Sequence, residues 1–257
     1  CTCYRIVKKK KGDERRSHGA LCACTALDMK GRVPQVLFGG GKLSTRTRMN
    51  CVVKSTFSET KMVPILNDML IANPSPAAVS RFRMGWLNKA DNVDNKLFRN
   101  EVSDSRGLTP ADKLASSLSE PGVARTKYGT ITRFGGQPYD VRNSLNVWSS
   151  GMWVCTSTGS TAAMAAAGGQ PMDLHSNKLQ YLIREHMIEN APNKNEIKDL
   201  DNGMLEEDQH LHLRWNSQKG RIFIDGSHLV HNLELGDEIL IDSKAPPLAL
   251  YSDAKWD

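Results

Sequence analysis

One stretch constrains this chain more than any other: Gly151 to Gly169, which reads Gly-Met-Trp-Val-Cys-Thr-Ser-Thr-Gly-Ser-Thr-Ala-Ala-Met-Ala-Ala-Ala-Gly-Gly. It opens on a short apolar run, Met152 to Cys155, that predicts a buried strand. A hydroxyl-and-glycine segment follows, Thr156-Ser157-Thr158-Gly159-Ser160-Thr161, and predicts a tight turn. The alanines from Ala162 onward, with Met164 among them, are good helix formers. Gly168 and Gly169 close that helix, because glycine accepts the left-handed backbone common at a C-terminus. Strand, turn and helix in this order present backbone N–H groups and hydroxyls where an anion or a ribose can be held. The small side chains of Ala162, Ala163 and Ala165 let a flat ligand lie close to the backbone. The same residues also describe a Ser/Thr-capped helix packed on a sheet with no ligand, and spacing does not separate the two.

A second stretch, Met62 to Ile71, sets Val63, Ile65, Leu66, Met69, Leu70 and Ile71 around Asn67-Asp68. An amide and a carboxylate inside an apolar run must find hydrogen-bond partners. A local cap or Asx turn supplies them in one reading. In the other the pair faces ribose hydroxyls, since a carboxylate accepts from vicinal hydroxyls and an amide both donates and accepts. Pro74 and Pro76 end whatever element precedes them.

Together these segments resemble a known family. Thr156-Ser157-Thr158-Gly159-Ser160-Thr161-Ala162-Ala163 is similar to the T-P-T-G-S-T-A-Y signature of the NAD kinases, and Asn67-Asp68 resembles their Asn-Glu/Asp motif. Ala72-Asn73-Pro74-Ser75-Pro76-Ala77-Ala78-Val79-Ser80-Arg81-Phe82 is nearest the plant-type NADH kinases. Asp225-Gly226, followed by Leu235-Gly236-Asp237, resembles the end of that family's C-terminal domain. The segments occur in family order and span most of the chain.

The resemblance implies a mainly β (α+β) fold: a β-sandwich of packed sheets with one short Ala-rich helix after the Thr/Gly turn. It implies phosphoryl transfer from ATP, with Mg2+, to the 2′-hydroxyl of the adenosine ribose of NAD+ or NADH. A secondary hydroxyl is a poor nucleophile at neutral pH, so that reaction calls for a carboxylate to take its proton and for oriented groups to hold the phosphates in line. In the family this carboxylate belongs to a Gly-Gly-Asp-Gly motif on an N-terminal domain. The nearest strings here, Phe38-Gly39-Gly40-Gly41 and Phe134-Gly135-Gly136-Gln137, lack the Asp. The expected protein is therefore the C-terminal, dinucleotide-binding part of an NAD(H) kinase. The alternative is a non-catalytic dinucleotide-binding module, or one that binds RNA or a protein.

By similarity, Asn67 and Asp68 engage ribose hydroxyls. Thr156, Thr158, Gly159, Ser160 and Thr161 line the phosphate or ribose, and Ala162 and Ala163 touch the adenine. Two positions depart from the signature: Ser157 stands for Pro, and Ala163 for the Tyr that stacks on the base. Loss of that aromatic face weakens the adenine contact or changes its geometry. The resemblance further implies a homodimer or homotetramer in which a neighbour helps complete the site.

Composition agrees with a globular chain: 39% hydrophobic and 24% charged residues over 257 positions. No apolar run approaches the ~20 residues of a membrane span, and no signal peptide is evident. A cytoplasmic location is expected. The net charge of +6 suits a polyanionic small molecule, whereas 6% aromatics without basic–aromatic interleaving argue against nucleic acid.

Residues 1–20 hold Lys8-Lys9-Lys10-Lys11 and Arg15-Arg16, a basic flexible lead-in to a domain over 21–257. Cys1/Cys3 and Cys22/Cys24 are too closely spaced for a usual zinc pattern and no His completes one, so no metal site is expected. Gly39-Gly40-Gly41-Lys42 lacks the first glycine and the Ser/Thr of a phosphate loop, and reads as a turn before a strand near Arg48 to Val53. Residues 83–147 read as a polar, irregular insertion, with a helix start at Thr109-Pro110 and a strand at Gly129 to Phe134. Leu179 to Ile188 is ambiguous between helix and strand, and Asn190 to Gln209 reads as loop. From His210 the alternation is β. His210 to Trp215 and Arg221 to Ile224 look like a hairpin over Asn216 to Gly220, continued as a meander through Glu238 to Asp242 and Leu248 to Tyr251. His210 and His212 read as a solvated sheet face, and Asp225-Gly226 and Gly236-Asp237 as turns first and ligand contacts second.

Overall fold

The computed structural model describes residues 42–89, 122–124, 130–134, 137–188 and 194–252, with isolated positions before residue 42. In chain order the described elements are β1 (Lys42–Lys54), β2 (Glu59–Lys61), β3 (Asp68–Ala72), β4 (Ser80–Lys89), β5 (Gly122–Ala124), β6 (Thr130–Phe134), β7 (Gln137–Ser149) and β8 (Gly151–Cys155). There follow α1 (Ala163–Ala166), β9 (Leu179–Arg184), α2 (Lys194–Lys198), β10 (Asn202–Leu205), β11 (Gln209–Trp215), β12 (Lys219–Ile224), β13 (Leu229–Glu234) and β14 (Glu238–Ser252). The basic stretch at 1–20, the Cys1/Cys3 and Cys22/Cys24 pairs, Gly39–Gly41 and the helix start at Thr109-Pro110 all lie outside the described residues.

The strands make two antiparallel sheets. One runs β2-β1-β14-β11-β4-β7-β5 with β6 added to β7; the other runs β10-β9-β8-β3-β12-β13. Side chains alternate along each strand, so every second residue points inward. Met49, Cys51 and Val53, Phe82, Met84 and Trp86, and Leu211, Leu213 and Trp215 come from the first sheet. Met69 and Ile71, Met152 and Val154, Tyr181 and Ile183, and Ile222 and Ile224 come from the second and enter the same buried cluster. Trp86 meets Tyr181 edge-to-face at 5.9 Å between ring centroids, joining the layers. The mainly β sandwich with one short Ala-rich helix is the observed architecture.

Several local expectations differ. Both ends of the supposed insertion at 83–147 are core strands, with β4 paired along its length to β7. Phe82, Met84, Trp86, Leu145 and Val147 are buried, but they alternate with Arg, Gly, Asn and Ser, which masked the strand period. Leu179 to Arg184 is strand. The supposed loop at 190–209 contains α2 and β10, anchored by buried Ile197 and Leu205. The hairpin across Asn216 to Gly220 does not form. β11 pairs with β4 and β14, whereas β12 pairs with β3 and β13 in the opposite sheet. Nor do β12 and β14 continue one meander, for the same reason. His210 is not on a solvated face: it is buried, with the Tyr139 ring 5.2 Å away and the Asp242 carboxylate at 3.8 Å. His212 lies against Phe134.

Candidate functional site

The second sheet positions the site. β8 lies between β3 and β9, and its last residue, Cys155, pairs with the first residue of β3, Asp68. That register places the segment after Cys155 beside the segment before Asp68. Asn67 and the hydroxyl turn are therefore in direct contact: the Thr156 N–H donates to the Asn67 carbonyl at 2.9 Å, and the Thr156 hydroxyl donates to the Leu66 carbonyl.

Gly159 shows how close the approach is. A Cβ at this position would stand 2.1 Å from the Asn67 carbonyl oxygen, inside any allowed contact. Only glycine lets the two backbones meet here.

The turn is more self-contained than its composition suggests. The Ser157 hydroxyl donates to the Leu174 carbonyl at 3.2 Å. The Ser160 hydroxyl donates to the Ser157 carbonyl at 2.8 Å and accepts the Met172 N–H at 2.9 Å. The N–H groups of Gly159, Ser160 and Ala162 return to carbonyls of the same turn. Thr156, Ser157 and Ser160 are buried, and their hydroxyls act as internal tethers. The expected row of open N–H groups at a helix N-terminus is thus replaced by a closed turn. The helix behind it, α1, is a single turn with no side-chain cap at Ala162. Its end is as read from the sequence: Gly168 adopts φ +99°, and Gly169 N–H reaches the Met164 carbonyl at 2.9 Å.

Thr158 is 4% exposed, and its hydroxyl has no hydrogen-bond partner among the described residues. Thr161 and Ala162 are exposed and Ala163 half-buried beside it. Asn67 and Asp68 are half-buried at the same junction. Burial, and secondarily the charge of Asp225, pushes the Asp68 carboxyl up to about 6 from 3.8. Its strand partner Cys155 is pushed up to about 12, first by burial, and stays a neutral thiol.

Asp225, expected as a turn residue first, is central to this junction. It follows the last residue of β12, next to the start of β3 because Ile224 pairs with Met69. Its carboxylate accepts the N–H groups of Leu66 at 3.0 Å, Asn67 at 2.7 Å and Asp68 at 3.3 Å. Its own N–H donates to the Asp68 carbonyl at 3.0 Å. The signal for it was an Asp-Gly placed directly after an apolar strand. The other Gly-Asp, Gly236-Asp237, is a turn: Asp237 accepts the Glu234 N–H at 2.9 Å, and its carbonyl accepts the Trp215 N–H. Among the described residues no group of three or more His, Cys, Asp or Glu could hold a metal. No helix among them is long and apolar enough to cross a membrane.

No family model matches the chain. It is 31% identical over 236 residues to a probable NADH kinase of Oryza sativa subsp. japonica, which covers 92% of this chain and 56% of the relative. It is 38% identical over 108 residues to an NADH kinase of Arabidopsis thaliana, 42% of this chain and 32% of that one. The chain thus spans about half the length of the rice relative, and less of the other. In fold it is similar to yeast NADH kinase complexed with NADH, with TM-score 0.57 and 14% identity over 90% of this chain and 50% of that chain. It is also similar to an NAD kinase from Archaeoglobus fulgidus in complex with ATP, with TM-score 0.52 and 12% identity over 90% and 63%. The ordered motifs, the two-sheet fold that joins them and the likeness to the rice protein agree in making the chain similar to the NAD kinase family.

Proposed function

We propose that this chain is the dinucleotide-binding part of an NAD(H) kinase, in which ATP phosphorylates the 2′-hydroxyl of the adenosine ribose of NAD+ or NADH to give NADP+ or NADPH. The observation that carries this reading is the meeting of Asn67-Asp68 with the Thr156–Ala163 turn at paired strand ends. The relatives named NADH kinase, and solved neighbours that hold NADH or ATP, support it.

In this reading Asp68, ionised at neutral pH, accepts from ribose hydroxyls, and the Asn67 amide donates to and accepts from the same sugar. The unpartnered Thr158 hydroxyl adds a further contact, because a buried polar atom without a partner gains most from one. Thr161, Ala162 and Ala163 form the accessible wall, and Ala163 offers the base a small apolar contact instead of an aromatic face. Gly159, Thr156 and Ser160 serve the site by holding the turn against Asn67. Magnesium, implied by the resemblance, finds no ligating cluster among the described residues, and no step is assigned to it. The Gly-Gly-Asp-Gly string does not occur in the chain, so the residues at hand bind and orient the dinucleotide. We also propose a homodimer or homotetramer. Strand β13, at an edge among the described strands, with exposed Leu229 and Val230 and Leu235 just beyond it, offers a surface for such contacts. A cytoplasmic setting fits the free, buried Cys51 and Cys155.

Calorimetric titration of the full chain with NADH and NADPH tests the reading. Asp68→Ala is expected to weaken NADH at least about tenfold, ~1.4 kcal/mol, while replacing Lys8 to Lys11 by Ala leaves it in place. The reverse pattern supports an RNA- or protein-binding module instead.

A further inference from the structure

Asp225 does more in this structure than close a turn. An ordinary Asx turn spends its carboxylate on an N–H two residues ahead in its own loop. Asp225 instead reaches a different segment, 157 to 159 residues earlier in the chain, and takes three consecutive N–H groups from it. Its backbone sits at φ 48°, in the left-handed region that Asp and Asn tolerate best among residues with a side chain. We propose that Asp225 is a positioning residue for the nucleotide site: it fixes the backbone from which the Asn67 and Asp68 side chains leave, and presents a second negative charge to the Asp68 carboxylate. This rests on the dinucleotide reading and assigns to it a residue outside the two motifs that first defined the site.

Asp225 acts on the backbone and on the charge of the junction. Residues 66 and 67 belong to no strand, so their N–H groups lack ladder partners. A single carboxylate meeting both of them and the first N–H of β3 removes their freedom to rotate, and charge-assisted bonds do this more firmly than neutral ones. The electrostatic part concerns Asp68. The titratable groups facing it are Asp225, from the turn after β12, and Cys155, from β8; the turn at 156–162 carries only Thr, Ser, Gly and Ala. Cys155 is neutral, so Asp225 is the neighbouring charge that Asp68 senses, added to its burial. A positioned carboxylate beside Asp68 therefore ties nucleotide binding to pH.

Two substitutions in the full chain separate the parts. Asp225→Asn keeps an acceptor oxygen and a residue type suited to φ 48°, but removes the charge. Asp225→Ala removes every acceptor. The first readout is the titration of the Asp68 carboxyl carbon by NMR, assigned by its loss in Asp68→Asn. The second is amide exchange at residues 66–68, and the third is calorimetric NADH binding. In Asp225→Asn the Asp68 midpoint is expected to fall below the parent's while staying above 3.8, since burial persists, and the acid limit of NADH binding should move down with it. In Asp225→Ala the three amides should exchange about tenfold faster or more, and NADH affinity at pH 7.5 should drop about tenfold. An unmoved Asp68 midpoint in Asp225→Asn, or unaltered exchange at 66–68 in Asp225→Ala, overturns the assignment. If Asp225→Ala does not fold, the Asn variant decides through the Asp68 midpoint. A parent chain that ignores NADH sinks the dinucleotide reading instead, while titration and exchange still judge what Asp225 holds.

Discussion

At Gly159 a single methyl group decides whether the site can assemble. Alanine there would drive its Cβ into the Asn67 peptide, which is backbone and cannot swing away as a side chain could. We expect Gly159→Ala to destabilise the fold by ~3 kcal/mol, the upper part of the usual overpacking range, seen as a lower urea midpoint. Asp68 yields a second prediction with two opposite signs. Its folded value of about 6 lies above 3.8, so the folded state takes up the proton more readily. Its contribution favours folding below 3.8 and is lost as pH rises through 6. In the proposed site Asp68 accepts from ribose hydroxyls as a carboxylate, so on that proposal NADH affinity should fall as pH drops through 6 even as this group favours folding. Titrations at pH 5 and pH 7.5, with Asp68→Asn as the pH-insensitive comparison, check it.

The element behind the turn is held by very little. α1 has one turn, no side-chain cap and one buried side chain, Met164, which packs with Cys155 and Leu182. Alanine propensity alone does not stabilise so short a helix in water, so tertiary anchoring must. Met164→Ala should cost ~2 kcal/mol or more, as core Met truncations do. It should also raise amide exchange at Ala167 and Gly169 well before the sheet strands open. Equal protection of helix and sheet in that variant would show that α1 does not depend on its Met anchor.

Across the whole molecule, the two sheets contribute alternate residues to one buried cluster, with Trp86 against Tyr181 bridging them. Neither sheet keeps its inner face covered without the other, so unfolding should be a single transition, with far-UV dichroism and tryptophan fluorescence coincident in urea. Two separated transitions would contradict a shared core. Much of this was legible in the residues: Leu211, Leu213 and Trp215 alternate plainly, Gly168 and Gly169 end the helix where they were expected to, and Asn67-Asp68 and the Thr156–Ala163 turn, both singled out by their composition, do meet. Period and turn chemistry are local, and local rules suffice to recognise such segments. They carry no information on which strand pairs with which, so Asn216 to Gly220 looked like a hairpin turn although it joins opposite sheets. They equally hid β4 and β7, where Arg83, Gly85, Ser144 and Asn146 break the apolar alternation. That Asp225 meets Leu66, Asn67 and Asp68, that the Ser160 hydroxyl is spent on the turn and on Met172, and that the buried Thr158 hydroxyl finds no partner among the described residues are decided by how the segments pack. Only the packed sheets set the distances between them.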